Sequence, residues 1–166
     1  MSEDDLKVYE SKEQLKLIEY TTKYEEAIKQ LKYDDYNPKN LTIDVLGNLL
    51  IELPYKIYAR SLETLEISDE IPTIIKTIEI IEDNASMSVN QIEELKNQAQ
   101  RDASKRMMLL DNNNYNLLKK QLAILTKHKN LLNFQKEYFD NLFTGVKIRY
   151  RQMCQVVLND RELKDL

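Results

Sequence analysis

The chain has 166 residues, 42% of them hydrophobic and 31% charged, with a net charge of −4. That is enough for one core of ordinary size and too apolar for a disordered chain, and no apolar run is long enough to span a bilayer. Two glycines and three prolines exclude a multi-hairpin β fold, and a lone cysteine, Cys154, excludes an internal disulfide and fits a reducing compartment. The charge is uneven. Residues 1–100 hold 11 Lys and Arg against 21 Asp and Glu, whereas residues 101–166 hold 13 against 7. Such asymmetry points either to an anionic partner for the basic half or to acidic helices packing beside basic ones, within or between subunits.

The acidic start, residues 1–10, has no apolar secretory core and reads as a flexible lead. Residues 11–166 read as one all-α domain, with acidic helices over 11–110 and a long basic amphipathic helix over 114–163. Ser11 and Gln14 form a capping box for a first helix from Lys12 to Lys32. Its seam, Leu17, Tyr20, Tyr24, Ala27 and Leu31, has heptad spacing but is soft. Tyr33 to Pro38 is a loop by its Asp, Asn and Pro content. A second helix, Thr42 to Glu66, carries Asp44 in its first turn. Leu46, Leu50, Leu53 and Ile57 line one face, which Tyr58, Leu62 and Leu65 continue beyond a kink at Pro54.

Ser68 caps a third helix with Pro72 in its first turn. Thr73 to Ile81 is rich in β-branched residues, but a lone strand would have no partner, so the segment is predicted helical. A polar break follows over 82–87. Ser88 and Gln91 then form a second capping box, for a helix from Val89 to Leu110. Asp111 to Asn114 supplies either a turn, with Asn114 capping the last helix, or merely a polar stretch in one continuous helix over 89–163.

The last stretch, Tyr115 to Leu163, organises the chain. Leu118, Leu122, Leu125, Leu132, Phe139, Phe143, Val146 and Met153 recur at steps of three, four or seven and form the expected oligomer or helix seam. Lys129 and Lys136 interrupt that register, and Gly145 weakens it. A helix of this length, roughly 75 Å at 1.5 Å per residue, outruns what a domain of this size can cover, which implies partners. The fold expectation is therefore a helical bundle or extended helical hairpin of four to five helices, the last one long.

Catalytic signals are poor. His128, between Lys127 and Lys129, reads as a solvated surface residue. Cys154 reads as core. No Cys/His spacing suits zinc, no Glu-x-x-His element is present, and no Gly-rich loop cradles phosphate. No enzyme activity, cofactor, metal or small-molecule substrate is expected. The basic clusters are candidate nucleic-acid contacts: Arg101, Lys105 and Arg106; Lys119, Lys120, Lys127 and Lys129; and Lys147, Arg149 and Arg151 around Tyr150. Cations interleaved with an aromatic suit phosphate contact and base stacking. The same residues equally describe solvated helix faces.

Two regions resemble the phage UvsY-type recombination mediators. The first runs from Leu41-Thr-Ile-Asp-Val-Leu through Glu52-Leu-Pro-Tyr-Lys-Ile-Tyr-Ala-Arg-Ser-Leu-Glu-Thr-Leu65. The second is Leu110-Asp-Asn-Asn, then Leu131-Leu-Asn-Phe-Gln-Lys-Glu-Tyr-Phe-Asp-Asn-Leu and Ile148-Arg149. The match covers under half the chain. Where that family has a Lys/Arg-rich middle with a Tyr/Gly turn, Glu66 to Glu94 is acidic and Ile-rich here. That shifts any DNA contact to Arg101–Lys129 and Lys147–Arg151. The resemblance implies a cytoplasmic, ring-forming oligomer, in the host cytoplasm if viral, that binds single-stranded DNA and loads a RecA-like recombinase. The alternative is a helical scaffold, assembly or structural interaction protein with a protein partner and no nucleic-acid binding. Neither reading involves a membrane.

Overall fold

The computed structural model describes residues 3–29 and 38–162. The expected loop at 33–37, Leu31, Lys32 and the terminal Leu163 lie outside the described residues. Four α-helices form: α1 (Glu3–Lys29), α2 (Ile43–Asn90), α3 (Gln98–Leu110) and α4 (Asn113–Glu162), with a 3-10 turn at Pro38–Asn40 between the first two. The fold is an all-α helical bundle with one long C-terminal helix, and no strand occurs among the described residues.

Several boundaries differ from expectation. α1 begins at Glu3, so Ser11 and Gln14 lie inside it and do not cap it. α2 starts as predicted, with Asp44 in its first turn and Val45 N–H donating to Thr42 Oγ1 at 3.5 Å. It then runs unbroken for 48 residues, through both expected breaks at 66–68 and 82–87. Pro54 and Pro72 lie within it at exposed positions. Each costs about 3 kcal/mol in a helix interior. Burial of Leu46, Leu49, Leu53, Ile67, Ile74, Ile78 and Val89 along the same helix outweighs that, at roughly 1.5–3 kcal/mol per side chain. Ser86 and Ser88 do not cap a new helix. Their hydroxyls donate to the carbonyls of Glu82 and Asn84, four residues back, a bond that satisfies serine inside a helix. The β-branched run is helical because Ile74 and Ile78, one turn apart, both find cover.

The break falls later, after Asn90. Asn97 caps α3, its Oδ1 accepting from Gln100 N–H at 2.9 Å. The turn at 111–112 separates α3 from α4, and the cap of α4 is Asn112, which accepts from Tyr115 N–H at 2.9 Å, two residues before the expected Asn114.

The chain groups into two compact units, Met1–Glu26 with Glu66–Lys129, and Ala27–Leu65 with Asn130–Leu166. In the first, Glu13 meets Gln121, and Tyr24 meets His128 with ring centroids 6.0 Å apart, so α1 runs parallel to α4. Glu70 lies beside Tyr20 and Glu66 beside Lys23, so α2 runs antiparallel to α1. Tyr20, Ile67, Ile74, Ile78, Val89, Leu118 and Leu125 are its buried apolar residues. In the second unit Leu46, Leu49 and Leu53 of α2 pack into one cluster with Phe139, Leu142 and Val146 of α4. Gly47 lies there under Tyr150. A Cβ on it would sit 3.7 Å from the ring, in ordinary contact.

Candidate interaction surfaces

The buried line of α4 is Leu118, Gln121, Leu125, His128, Leu132, Gln135, Phe139, Leu142 and Val146. The steps alternate three and four, a strict heptad seam. It is not the register expected from hydrophobicity. Leu122, Lys129, Lys136 and Phe143 are half-buried flanks, so the lysines do not interrupt the seam. One of its two positions is polar in three successive heptads instead. His128, expected on the surface, is only 6% exposed.

The polar positions are held by α1. Gln121 Nε2 donates to the Glu13 carbonyl at 2.8 Å and to Glu13 Oε2 at 2.9 Å. Glu13 is itself buried, and its other carboxylate oxygen accepts from Lys16 Nζ at 3.0 Å. Gln135 Nε2 donates to the Ala27 carbonyl at 3.2 Å. Ala27 lies in the last turn of α1, where carbonyls lack intrahelical partners. The amide oxygens of both glutamines are buried without a hydrogen-bond partner among the described residues, as are Asn114 Oδ1 and Arg149 Nε. Asn114, Gln121, Gln135 and Arg149 all occupy one heptad position, so the unsatisfied polar groups line a single register.

The candidate nucleic-acid contacts divide between the units, Arg101 to Lys129 in the first and Lys147 to Arg151 in the second. In the first unit Arg101 donates through Nε to the Leu95 carbonyl at 3.3 Å. Lys105 and Arg106 line a cleft of about 390 Å³ with Glu82, Asp102, Leu109, Leu110 and Tyr115, so acids accompany the cations. Lys119 is paired with Glu82 at 3.2 Å and lies 5.1 Å from the Tyr115 ring centroid. Tyr115 O–H donates to the same carboxylate at 2.8 Å. That bond, with a further one from Lys119, holds the Glu82 carboxyl below its ordinary range. Burial and the Glu82 bond push the Tyr115 phenol up. Burial opposes the charge on Lys119, but its bonds to Glu82 and Tyr115 prevail and raise it. Lys129 is half-buried. Lys120 and Lys127, seven apart on α4, are exposed and have no ion pair among the described residues.

In the second unit Lys147 and Arg151 are exposed, and lie on one face, one turn apart. Arg149 and Tyr150 turn partly inward. Cys154 is a half-buried free thiol. Among the described residues no three His, Cys, Asp or Glu side chains converge where a metal ion could sit.

A second cleft in the first unit, of about 380 Å³, is lined by Glu13, Tyr20, Glu70 and Gln121 among others. Burial, then a hydrogen bond from its hydroxyl to Glu70, pushes the Tyr20 phenol up. α3 covers no core, since it has no buried residue. It leaves Met107, Met108 and Leu110 exposed.

Sequence reasoning missed one surface. Tyr58, Leu62 and Leu65 do not continue the buried face of α2. With Ile51 and Tyr55 they are exposed, at steps of four, three, four and three. At about 100° per residue this stripe lies opposite Leu46, Leu49, Leu53 and Ile57. Between Ile51 and Leu65 α2 therefore has two apolar faces, one inward and one outward. The signal was legible as two interleaved heptad series, which a single-face reading merges.

No protein-family model matches the chain, and no curated protein or solved structure matches it. The fold and these surfaces define an all-α bundle of heptad-packed helices. Among the described residues no helix is long and apolar enough to cross a membrane.

Proposed function

We propose that this protein is a non-catalytic, self-associating accessory or adaptor protein. The observation that carries the reading is the outward apolar stripe of α2. A helix that is apolar on two faces is at home only when both are covered, and the described residues of its own unit cover one. Exposed methionines on α3 add a deformable contact surface of the kind used for protein partners. Light scattering at micromolar concentration tests the reading: an oligomer is expected, and a strict monomer removes it.

A second reading is favoured by exposed cations that have no ion pair among the described residues, Lys120 and Lys127 of the first unit and Lys147 and Arg151 of the second. On this reading the oligomer binds single-stranded DNA through α4, as its resemblance to the UvsY-type mediators implies, and acts in the cytoplasm to help load a RecA-like recombinase. Four phosphate contacts would weaken oligonucleotide binding about 50-fold as salt rises fourfold. Lys120→Glu with Lys127→Glu should remove about half the salt slope. Absence of binding at low ionic strength leaves a scaffold or assembly protein without nucleic acid.

A further inference from the structure

The outward stripe of α2 also identifies its occupant. We propose that it pairs with the same stripe of a second copy, antiparallel and across a two-fold axis near residue 60, an inference that rests on the self-association reading above. Ile51, Tyr55, Tyr58, Leu62 and Leu65 are 65%, 72%, 63%, 44% and 59% exposed. At about 200 Å² for a large side chain, the stripe leaves roughly 600 Å² open, the upper end of what a lone monomer shows. The four that pair in an antiparallel register, Tyr55, Tyr58, Leu62 and Leu65, leave about 480 Å² per copy, so two copies remove about 950 Å², close to the roughly 1,000 Å² that a specific interface should clear.

Symmetry selects the second copy. The steps from Tyr55 to Leu65, three, four and three, read the same in both chain directions, so an antiparallel pair interleaves its two heptad positions. Tyr55 packs on Leu65 of the partner subunit, and Tyr58 on Leu62 of the partner subunit. The axis then repeats both layers, giving four in all. Ala59 and Ser61 flank the centre, and small residues there let the two helices approach closely. Beyond these layers Ile51 faces Asp69 of the partner subunit, and beside it lies the one like-charge pairing, Glu52 with Glu66 of the partner subunit. It falls at the outer end of the stripe, in water, where salt screens it. Tyr hydroxyls reach the rim of such a seam and stay hydrated while the rings are covered.

The test is disulfide trapping in a Cys154→Ser background. A mixture of Tyr55→Cys and Leu65→Cys chains should cross-link under mild oxidation, whereas either variant alone should stay unlinked. Self-linking of Tyr55→Cys would mean a parallel pair and overturn the antiparallel register. An oligomer by light scattering that fails to cross-link in any mixture overturns this surface and leaves the self-association reading standing. A strict monomer removes both. As a second measurement, Tyr58→Glu should convert the dimer to monomer with unchanged helicity, since that side chain touches no core. Dimer affinity should also rise severalfold between low and moderate salt. A fall with salt would mean that opposite charges, not this stripe, hold the copies together.

Discussion

Replacing Gln121 or Gln135 by leucine is the same chemical change at the same heptad position, and it should act with very different magnitude. Gln135 is fully buried and makes one long, neutral bond to the Ala27 carbonyl, worth about 1 kcal/mol. Its amide oxygen has no partner, a penalty of about 1–3 kcal/mol. Gln135→Leu removes both but leaves the buried Ala27 carbonyl without that donor, so the terms nearly cancel and stability should change by less than about 1 kcal/mol. Gln121→Leu gains the same relief but strips a 2.9 Å bond from the Glu13 carboxylate. A bond to a charged group is worth about 1.5–3 kcal/mol, and the buried carboxylate oxygen it leaves costs more than a neutral one. The net is a loss of about 2 kcal/mol. For a chain of this size that is a shift in Tm of less than about 3 °C for Gln135→Leu and a fall of about 6 °C for Gln121→Leu. Far-UV circular dichroism, with urea midpoints at constant slope, measures both. Adding Glu13→Leu to Gln121→Leu should restore most of the loss. Shifts of equal size, or no restoration in the double variant, would refute the account of the polar register.

Other expectations follow from the same geometry. Leu132→Ala empties a fully buried seam position and should cost about 2–5 kcal/mol. Phe134→Ala, two residues on and exposed, should stay within about 0.5 kcal/mol. Thermal melts that rank them the other way would place the seam elsewhere. Asn97→Ala should cost α3 about 1 kcal/mol of local stability, seen as faster amide exchange over residues 98–110 at nearly constant Tm, because that helix buries nothing. Uniformly unchanged exchange would deny the cap a role. Glu82 has a depressed pKa, chiefly through the Tyr115 bond. Its contribution is thus present above the ordinary value of 4.5 and lost as pH falls through the lower, folded value. The group is partly exposed, so the effect is small. Glu82→Gln should flatten the acid limb of the stability profile, and an unaltered limb would show that the cluster is not coupled to folding.

The fold class was legible because heptad spacing and scarce turn formers both point to helices. The long C-terminal helix was legible because its apolar repeat is sustained over several heptads. The turn at 111–112 was legible from its Asp and Asn run, but the continuity of α2 was not. Ser68, Ser88 and Pro72 signal ends only when the helix lacks tertiary support, and Ile67, Ile74 and Ile78 supply that support. The seam of α4 was half-read for a similar reason. Leu118, Leu125, Leu132, Phe139 and Val146 are conspicuous, but Gln121, His128 and Gln135 count as surface residues on any hydropathy scale. Only the facing groups of α1, Glu13, Tyr24 and the Ala27 carbonyl, make their burial tolerable, and those lie more than a hundred residues away. The candidate basic sites were legible as composition and not as a surface. Spacing along a helix cannot tell that Lys119 is paired with Glu82 while Lys120 is not.

The bonds from Gln121 to Glu13 and from Gln135 to Ala27 each join residues 108 positions apart. During synthesis at about 5–20 residues per second, α1 leaves the ribosome roughly 5–20 seconds before its partner positions on α4 exist. Through that interval Tyr20 and Ala27 have nothing of α4 to pack against. Closing so long a loop is also intrinsically slow. The nascent chain therefore passes through a stage in which α1 waits for its α4 cover. The polar register of α4 then decides its final alignment, because a slip of one heptad would carry Gln121 away from the buried Glu13.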